Sequence, residues 1–129
     1  GVAVRWQHRG QLRRLFMAFP GLPPSNDMPN APLKIDFTQS LPPSDPPAAT
    51  VLLTPTPKAW SETLFSAANL RIGLWQCEAY ARKQVQPGYS ELMFILEGAM
   101  TLTPEQGEAC TVSAGEVVVV PAGARCFAY

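Results

Sequence analysis

Turns rich in glycine and proline divide the second half of the chain into short segments of apolar and β-branched residues. These turns are indicated at residues 97–98, 104–107, 113–115 and 121–124. Proline lacks a backbone donor and fixes φ, whereas glycine admits the positive φ of tight turns, so no long helix is expected here. Short strands at this spacing are typical of sandwiches and barrels, and we predict an all-β fold.

The segments between the turns have the alternation of strands. Residues 70–80 place Leu70, Ile72 and Leu74 on one face and leave Trp75 on the other. Further strands are predicted over residues 91–96, 99–103, 109–112, 116–120 and 125–129. Because only Glu97-Gly98 separates the first two of these, they are expected to form a β-hairpin.

Composition excludes several classes of function. The ten basic and ten acidic side chains of the 129 residues cancel, which argues against a nucleic-acid partner or a membrane partner. The three cysteines lack a Cys-x-x-Cys spacing, so neither a disulfide framework nor a zinc ribbon is predicted, and a reducing cytoplasm is the expected location. His8 is the only histidine, which excludes histidine triads and histidine-rich metal sites from the body of the domain.

The N-terminal part of the chain reads as an extended arm. Residues 20–57 contain eleven of the fourteen prolines, so we predict an arm over residues 1–57 and a folded domain over residues 58–129. Residues 33–37 and 50–54 are β-rich enough to add edge strands. Residues 1–16 hold four arginines and no acid, which fits a targeting segment, a phosphate-binding arm or a tail outside the fold. Residues 1–27 are also interpreted as non-native or disordered.

Two motifs in the predicted strands match a known family. Gly115 is followed by five residues, Pro121, one residue, Gly123, two residues and Cys126, while Glu91 is followed by six residues and Gly98. Over roughly half of the chain, this pattern resembles the cupin superfamily and, within it, the cupin_3 (DUF861) type, similar to ureidoglycine aminohydrolase and ethanolamine-utilisation cupins. The resemblance implies a jelly roll (a double-stranded β-helix) and a homodimer.

The sequence also departs from the family pattern. Cys126 stands where the family has its last metal-binding histidine. The His-x-His of metal-binding members corresponds to Gln84 and Gln86 with four residues before Glu91, or to Val85 and Pro87 with three. The chain also stops three residues after Cys126, so we expect the barrel to lack its last strand.

The resemblance implies catalytic roles for Glu91 and Cys126. Glu91 would act as an acid or base and Cys126 as a nucleophile; alternatively, Glu91 lies at the barrel mouth and Cys126 is a small buried apolar residue. A metal, if one binds, would be held by Gln84, Gln86, Glu91 and Cys126. Because few metals prefer this mixture of hard and soft donors, no cofactor is expected, with a divalent metal as the alternative.

The wall of the barrel would supply the ligand-binding side chains. Candidates are Arg71, Trp75, Gln84, Gln86 and Tyr89, with Tyr80 and Arg82 as further lining residues. Aromatic residues at strand spacing also serve simply to pack a core.

Three functions remain open. The first is a cupin that binds a small polar metabolite without a histidine metal site. The second is an enzyme of the ureidoglycine aminohydrolase type that uses Glu91, and also Cys126, on a nitrogenous or carboxylated substrate. The third is a structural or partner-binding module, because one fold hosts many chemistries.

Overall fold

The computed structural model describes residues 5, 7–19, 31–85, 88–124 and 126–128. The described residues form strands and no helix, which confirms the all-β prediction, and no helix among them could cross a membrane. The strands are β1 (Pro43–Ser44), β2 (Ala59–Ala67), β3 (Leu70–Cys77), β4 (Arg82–Val85), β5 (Glu91–Phe94), β6 (Ala99–Pro104), β7 (Cys110–Ser113), β8 (Val117–Val120) and β9 (Cys126–Ala128).

The strands form three antiparallel sheets. The first has the order β1-β2-β3, the second β4-β9-β6-β7, and the third β5-β8. The second sheet places β9 between β4 and β6, so the last described strand is a central strand. The expectation that the barrel lacks a further strand stays a prediction.

The predicted hairpin of residues 91–96 with 99–103 is wrong. β5 pairs with β8, from Glu91 opposite Val120 to Phe94 opposite Val117, whereas β6 pairs with β7 and β9. The turn between β5 and β6 therefore carries the chain from one sheet to another, as jelly rolls require. It is bonded to the turn before β8, because Ala114 N donates to Gly98 O (3.0 Å) and Gly115 N donates to Ile95 O (2.8 Å). Gly98 and Gly115 both have positive φ, at 80° and 88°, which explains the glycines of both motifs.

The sequence patterns predicted neither β2 nor β4, and the edge strand predicted over residues 33–37 does not form. Residues 33–37 form no strand; Asp36 instead accepts hydrogen bonds from the backbone N and hydroxyl of Thr38, at 2.9 and 2.7 Å. This local Asx turn offers the backbone an alternative to pairing with a sheet. Residues 50–54 contribute a single isolated bridge, from Leu52 to Arg82.

The proline-rich arm is bonded to two of the sheets. β1 extends the first sheet, where Ser61 N donates to Pro42 O (3.1 Å). Residues 51–53 lie along the edge of β4, where Leu53 N donates to Ala81 O (2.8 Å) and Lys83 N donates to Val51 O (2.7 Å). These bonds satisfy edge donors that would otherwise be open to another chain. The predicted boundary at residue 58 stays a prediction, although the arm is part of the packed structure from Phe37 onward.

Few large apolar side chains are buried among the described residues, and none is completely buried. The buried apolar side chains among these residues are Ala59 of β2, Leu102 of β6 and Val112 of β7. Leu70, Ile72 and Leu74 of β3 are half-buried, while Arg71, Gly73 and Trp75 are exposed, as the alternation predicted. With so little deeply buried area, backbone pairing and the arm carry much of the fold.

Gly73 provides the first test of this packing, because it lies close to the backbone of β2. A Cβ added at Gly73 would lie 2.7 Å from the carbonyl oxygen of Glu62, so the two strands would have to separate. We expect Gly73→Ala to lower the free energy of unfolding by about 1–3 kcal/mol in chemical denaturation. The control is Gly88→Ala, whose added Cβ meets nothing within 4 Å; equal losses in both variants would contradict the argument.

Phe37 provides a second test, of the arm. Its ring meets that of Phe94 of β5 edge to face, with ring centroids 5.9 Å apart. We expect Phe37→Ala to lower the free energy of unfolding by about 1 kcal/mol. The control is Phe19→Ala, which removes an exposed phenylalanine from the N-terminal segment and should leave the midpoint of chemical denaturation unchanged. If Phe37→Ala also leaves this midpoint unchanged, the contact of Phe37 with Phe94 does not stabilise the domain.

Candidate functional site

Side chains from β3, β4, β5 and one loop converge around Tyr80. Trp75 and Cys77 come from the end of β3, and Tyr80 lies in the loop that connects β3 to β4. Arg82 begins β4 and Glu91 begins β5. On β4, Arg82 and Gln84 are half-buried whereas Lys83 between them is exposed, so the inward face of this strand carries the arginine and the amide.

Tyr80 contacts an exposed indole. The rings of Trp75 and Tyr80 meet edge to face, with centroids 6.2 Å apart and an interplanar angle of 78°. Tyr80 is half-buried, but the fractional solvent exposure of Trp75 is 58%. A large aromatic face that is held by a neighbouring ring and still open to solvent is a platform on which a ligand can pack.

The pKa of Tyr80 identifies the charged groups around its hydroxyl. Burial raises this pKa above its ordinary value of 10.0, because the phenolate loses solvation. Arg82 lowers it through its positive charge and through a hydrogen bond to the phenol, while Cys77 and Glu91 raise it. A cation, a thiol and a carboxylate therefore each lie within electrostatic reach of the Tyr80 phenol.

Cys77 is the neighbour that sequence reasoning left without a role. Burial, followed by the negative charge of Glu78, raises the pKa of its thiol above the ordinary 9.0. Because the thiolate is the reactive form, Cys77 is a weak nucleophile near neutral pH. Its position could have been found from the sequence, since it follows Trp75 by two residues and shares its face of β3.

The predicted metal donors lie on different elements. Cys126 of β9 is half-buried and lies opposite Val85 of β4 and Pro104 of β6. Gln84 precedes Val85 on β4, where the pairing of β4 with β9 is irregular. Glu91 belongs to another sheet. Gln86 lies outside the described residues. In the described part of the chain, no three His, Cys, Asp or Glu side chains are grouped so that they could hold a metal ion. A divalent metal on Gln84, Gln86, Glu91 and Cys126 stays a prediction.

One predicted ligand-binding residue, Arg71, lies away from Trp75, and a second, Tyr89, is not brought into a contact with the cluster that the structure describes. Arg71 is opposite Ser66 near the tip of the β2–β3 hairpin, and its four-residue separation from Trp75 amounts to about 13 Å along a strand. Tyr89 is exposed in the loop before β5. That loop is held by Ala122 N, which donates to the hydroxyl of Ser90 at 2.9 Å. Of the predicted site residues, the structure therefore brings together Trp75 and Glu91, with Tyr80 and Arg82 as the side chains between them.

A separate cleft lies between the arm and β2. It has a volume of about 140 Å³ and is lined by Leu33, Lys34, Ile35, Asp36, Gln39 and Leu64. Gln39 is already bonded to the carboxylate of Glu62 at 2.7 Å, and Asp36 to Thr38. Metabolite sites usually exceed about 300 Å³, so this cleft is small for a metabolite, and its polar side chains already have partners.

The ionisation of Tyr80 tests this geometry. Since the folded pKa is raised above the unfolded value, Tyr80 contributes stability that is fully present below about pH 10 and is lost as the pH rises through the folded pKa. We expect an absorbance titration to show a late phenol ionisation that Tyr80→Phe removes and Tyr89→Phe does not. Arg82→Gln should delay that ionisation further, because it removes the cation; an earlier one would contradict the arrangement.

Comparison with known proteins identifies the family. A family model described as the EutQ-like cupin domain, Cupin_3, matches residues 66–128. Among solved structures, the chain is similar to a DUF861-family protein of unknown function from Pseudomonas syringae pv. tomato strain DC3000, with 36% sequence identity and a TM-score of 0.69. The alignment covers 73% of this chain and 41% of that chain, so this chain spans less than half the length of that relative. No curated protein matches the chain. Through residues 66–128, the chain belongs to the cupin_3 (DUF861) family of EutQ-like cupin domains, and its β-strands form the jelly roll of that family.

Proposed function

We propose that this cupin domain binds a small polar metabolite at the cluster of Trp75, Tyr80, Arg82 and Glu91. The observation that carries the proposal is the half-buried Tyr80, which touches an exposed indole while Arg82 of β4 and Glu91 of β5 act on its hydroxyl from two different sheets. An apolar wall with a few convergent polar groups is the usual composition of a metabolite site.

The charges of the cluster define the class of ligand. The Arg82 guanidinium has five N–H donors, and its described bonds go to the phenol of Tyr80 and the carbonyl oxygen of Lys83 (3.3 Å). Donors therefore remain for a ligand carboxylate, which arginine binds in a bidentate manner. The exposed carboxylate of Glu91 accepts hydrogen bonds from an amine or an amide. A small molecule with a carboxylate and a nitrogen donor would satisfy both side chains while it packs on Trp75.

The protonation state of Cys77, the thiol near the cluster, favours binding without catalysis. The raised pKa keeps Cys77 protonated near neutral pH, and Cys126 belongs to a strand on the other side of β4 from the arm. Glu91 remains the candidate acid or base for the alternative, an enzyme of the ureidoglycine aminohydrolase type. The third alternative, a structural module, would leave the cluster without a ligand. A homodimer and a cytoplasmic location stay predictions.

The test is a thermal-shift screen of small carboxylated and nitrogenous metabolites, followed by calorimetry with each compound that raises the melting temperature. We expect Glu91→Gln and Arg82→Gln each to weaken binding at least about tenfold, or about 1.4 kcal/mol. Glu97→Gln is the matched control, because it neutralises an exposed glutamate in the turn after β5. Equal affinity in Glu91→Gln and the unaltered chain would remove Glu91 from the site.

Two further outcomes separate the alternatives. Turnover of a bound compound that Glu91→Gln abolishes, with binding retained, would establish the enzyme. If no compound in the screen shifts the melting temperature of the unaltered chain, metabolite binding fails and the structural module is favoured.

A further inference from the structure

Residues 7–19 carry apolar and basic side chains that the cupin domain does not cover. Every one of these residues is exposed, and the segment has neither helix nor strand. Its large apolar side chains are Leu12, Leu15, Phe16, Met17 and Phe19. Arginines stand at positions 9, 13 and 14, and no acidic residue occurs before Asp27. So many exposed apolar side chains in thirteen residues mark an interaction segment.

Four of the apolar residues have the spacing of one helix face. Leu12, Leu15, Phe16 and Phe19 stand at positions i, i+3, i+4 and i+7, and on a helix they would occupy about 100° of its circumference. Met17 would fall on the opposite face. Pro20 follows Phe19 in the sequence, where a helix normally ends. A helix this short is unstable in water by itself, which agrees with the extended segment in the free chain.

We propose that residues 9–19 bind an anionic lipid surface and fold on it as an amphipathic helix. Leucine and phenylalanine on one face with arginine on the other is the composition of helices that lie in a membrane interface. Arg13 would lie about 60° beyond Phe16 on one side of the apolar face, and Arg14 about 100° beyond Leu15 on the other. Arg13 can then reach headgroups when the helix lies flat, and Arg14 adds positive charge on the face that points to water.

Charge supports this assignment locally. The zero net charge of the whole chain, which argued against a membrane partner, combines a basic N-terminal segment with acidic residues that begin at Asp27. Anionic leaflets attract clustered arginines, and arginine stems can lie along apolar surface while the guanidinium stays in water. In the free chain the Arg14 guanidinium lies 5.5 Å from the centre of the Phe16 ring; a helix would separate the two side chains, because residues i and i+2 do not face each other.

The experiment is sedimentation of the full chain with lipid vesicles. Vesicles of phosphatidylcholine with about 30% phosphatidylglycerol should bind the chain at least about tenfold more tightly than vesicles of phosphatidylcholine alone. Far-ultraviolet circular dichroism should show a helical signal only with the anionic vesicles, and it is readily detected because the described residues form no helix. High salt should weaken binding.

Substitutions provide the matched controls. Leu15→Gln with Phe16→Gln removes the apolar face, and Arg13→Gln with Arg14→Gln removes the flanking charge; each pair should reduce binding at least about tenfold. Met17→Gln makes the same chemical change on the opposite face and should leave binding unchanged. Equal loss from Met17→Gln, equal binding to neutral vesicles, or a helical signal induced by poly-glutamate but not by anionic vesicles would overturn the proposal, the last in favour of an acidic protein partner.

Discussion

Backbone pairing between strands that are far apart in the sequence holds this domain together. β4 pairs with β9 and β5 pairs with β8, so long loops must close before either ladder stabilises the chain. Arg82 and Glu91 stand at the starts of β4 and β5. Their approach to Tyr80 therefore depends on contacts with the C-terminal strands, and the candidate site cannot form from its own stretch of sequence.

The arm compensates for a core with few buried apolar side chains. Ala59, Leu102 and Val112 bury little apolar area, whereas residues 42–53 donate and accept backbone hydrogen bonds at the margins of two sheets. Proline suits such a position, because it lies at sheet edges without an unsatisfied donor. Phe37 adds a ring contact to the third sheet. The proline-rich segment is thus part of the architecture that positions the site, while the exposed residues 7–19 are available for a different role.

The proposed ligand site does not use the positions at which the resembling family has its metal-binding histidines. Cys126 and Gln84 occupy neighbouring strands but do not converge with Glu91 in one sheet. Glu91 acts instead on Tyr80, together with Arg82 and Cys77. In the proposed site, an aromatic platform and groups of opposite charge would recognise the ligand, next to a phenol whose pKa is raised by burial.

Local chemistry was readable from the sequence alone, and long-range pairing was not. The turns at Gly98 and Gly115, the alternation along residues 70–75 and the spacing of both motifs were predictable, because each depends on residues close together in the chain. The partner of β5, the strands β2 and β4, and the grouping of Tyr80 with Cys77 were decided by the tertiary structure. A short apolar strand can pair with many others, and only the shared burial of distant segments selects one partner.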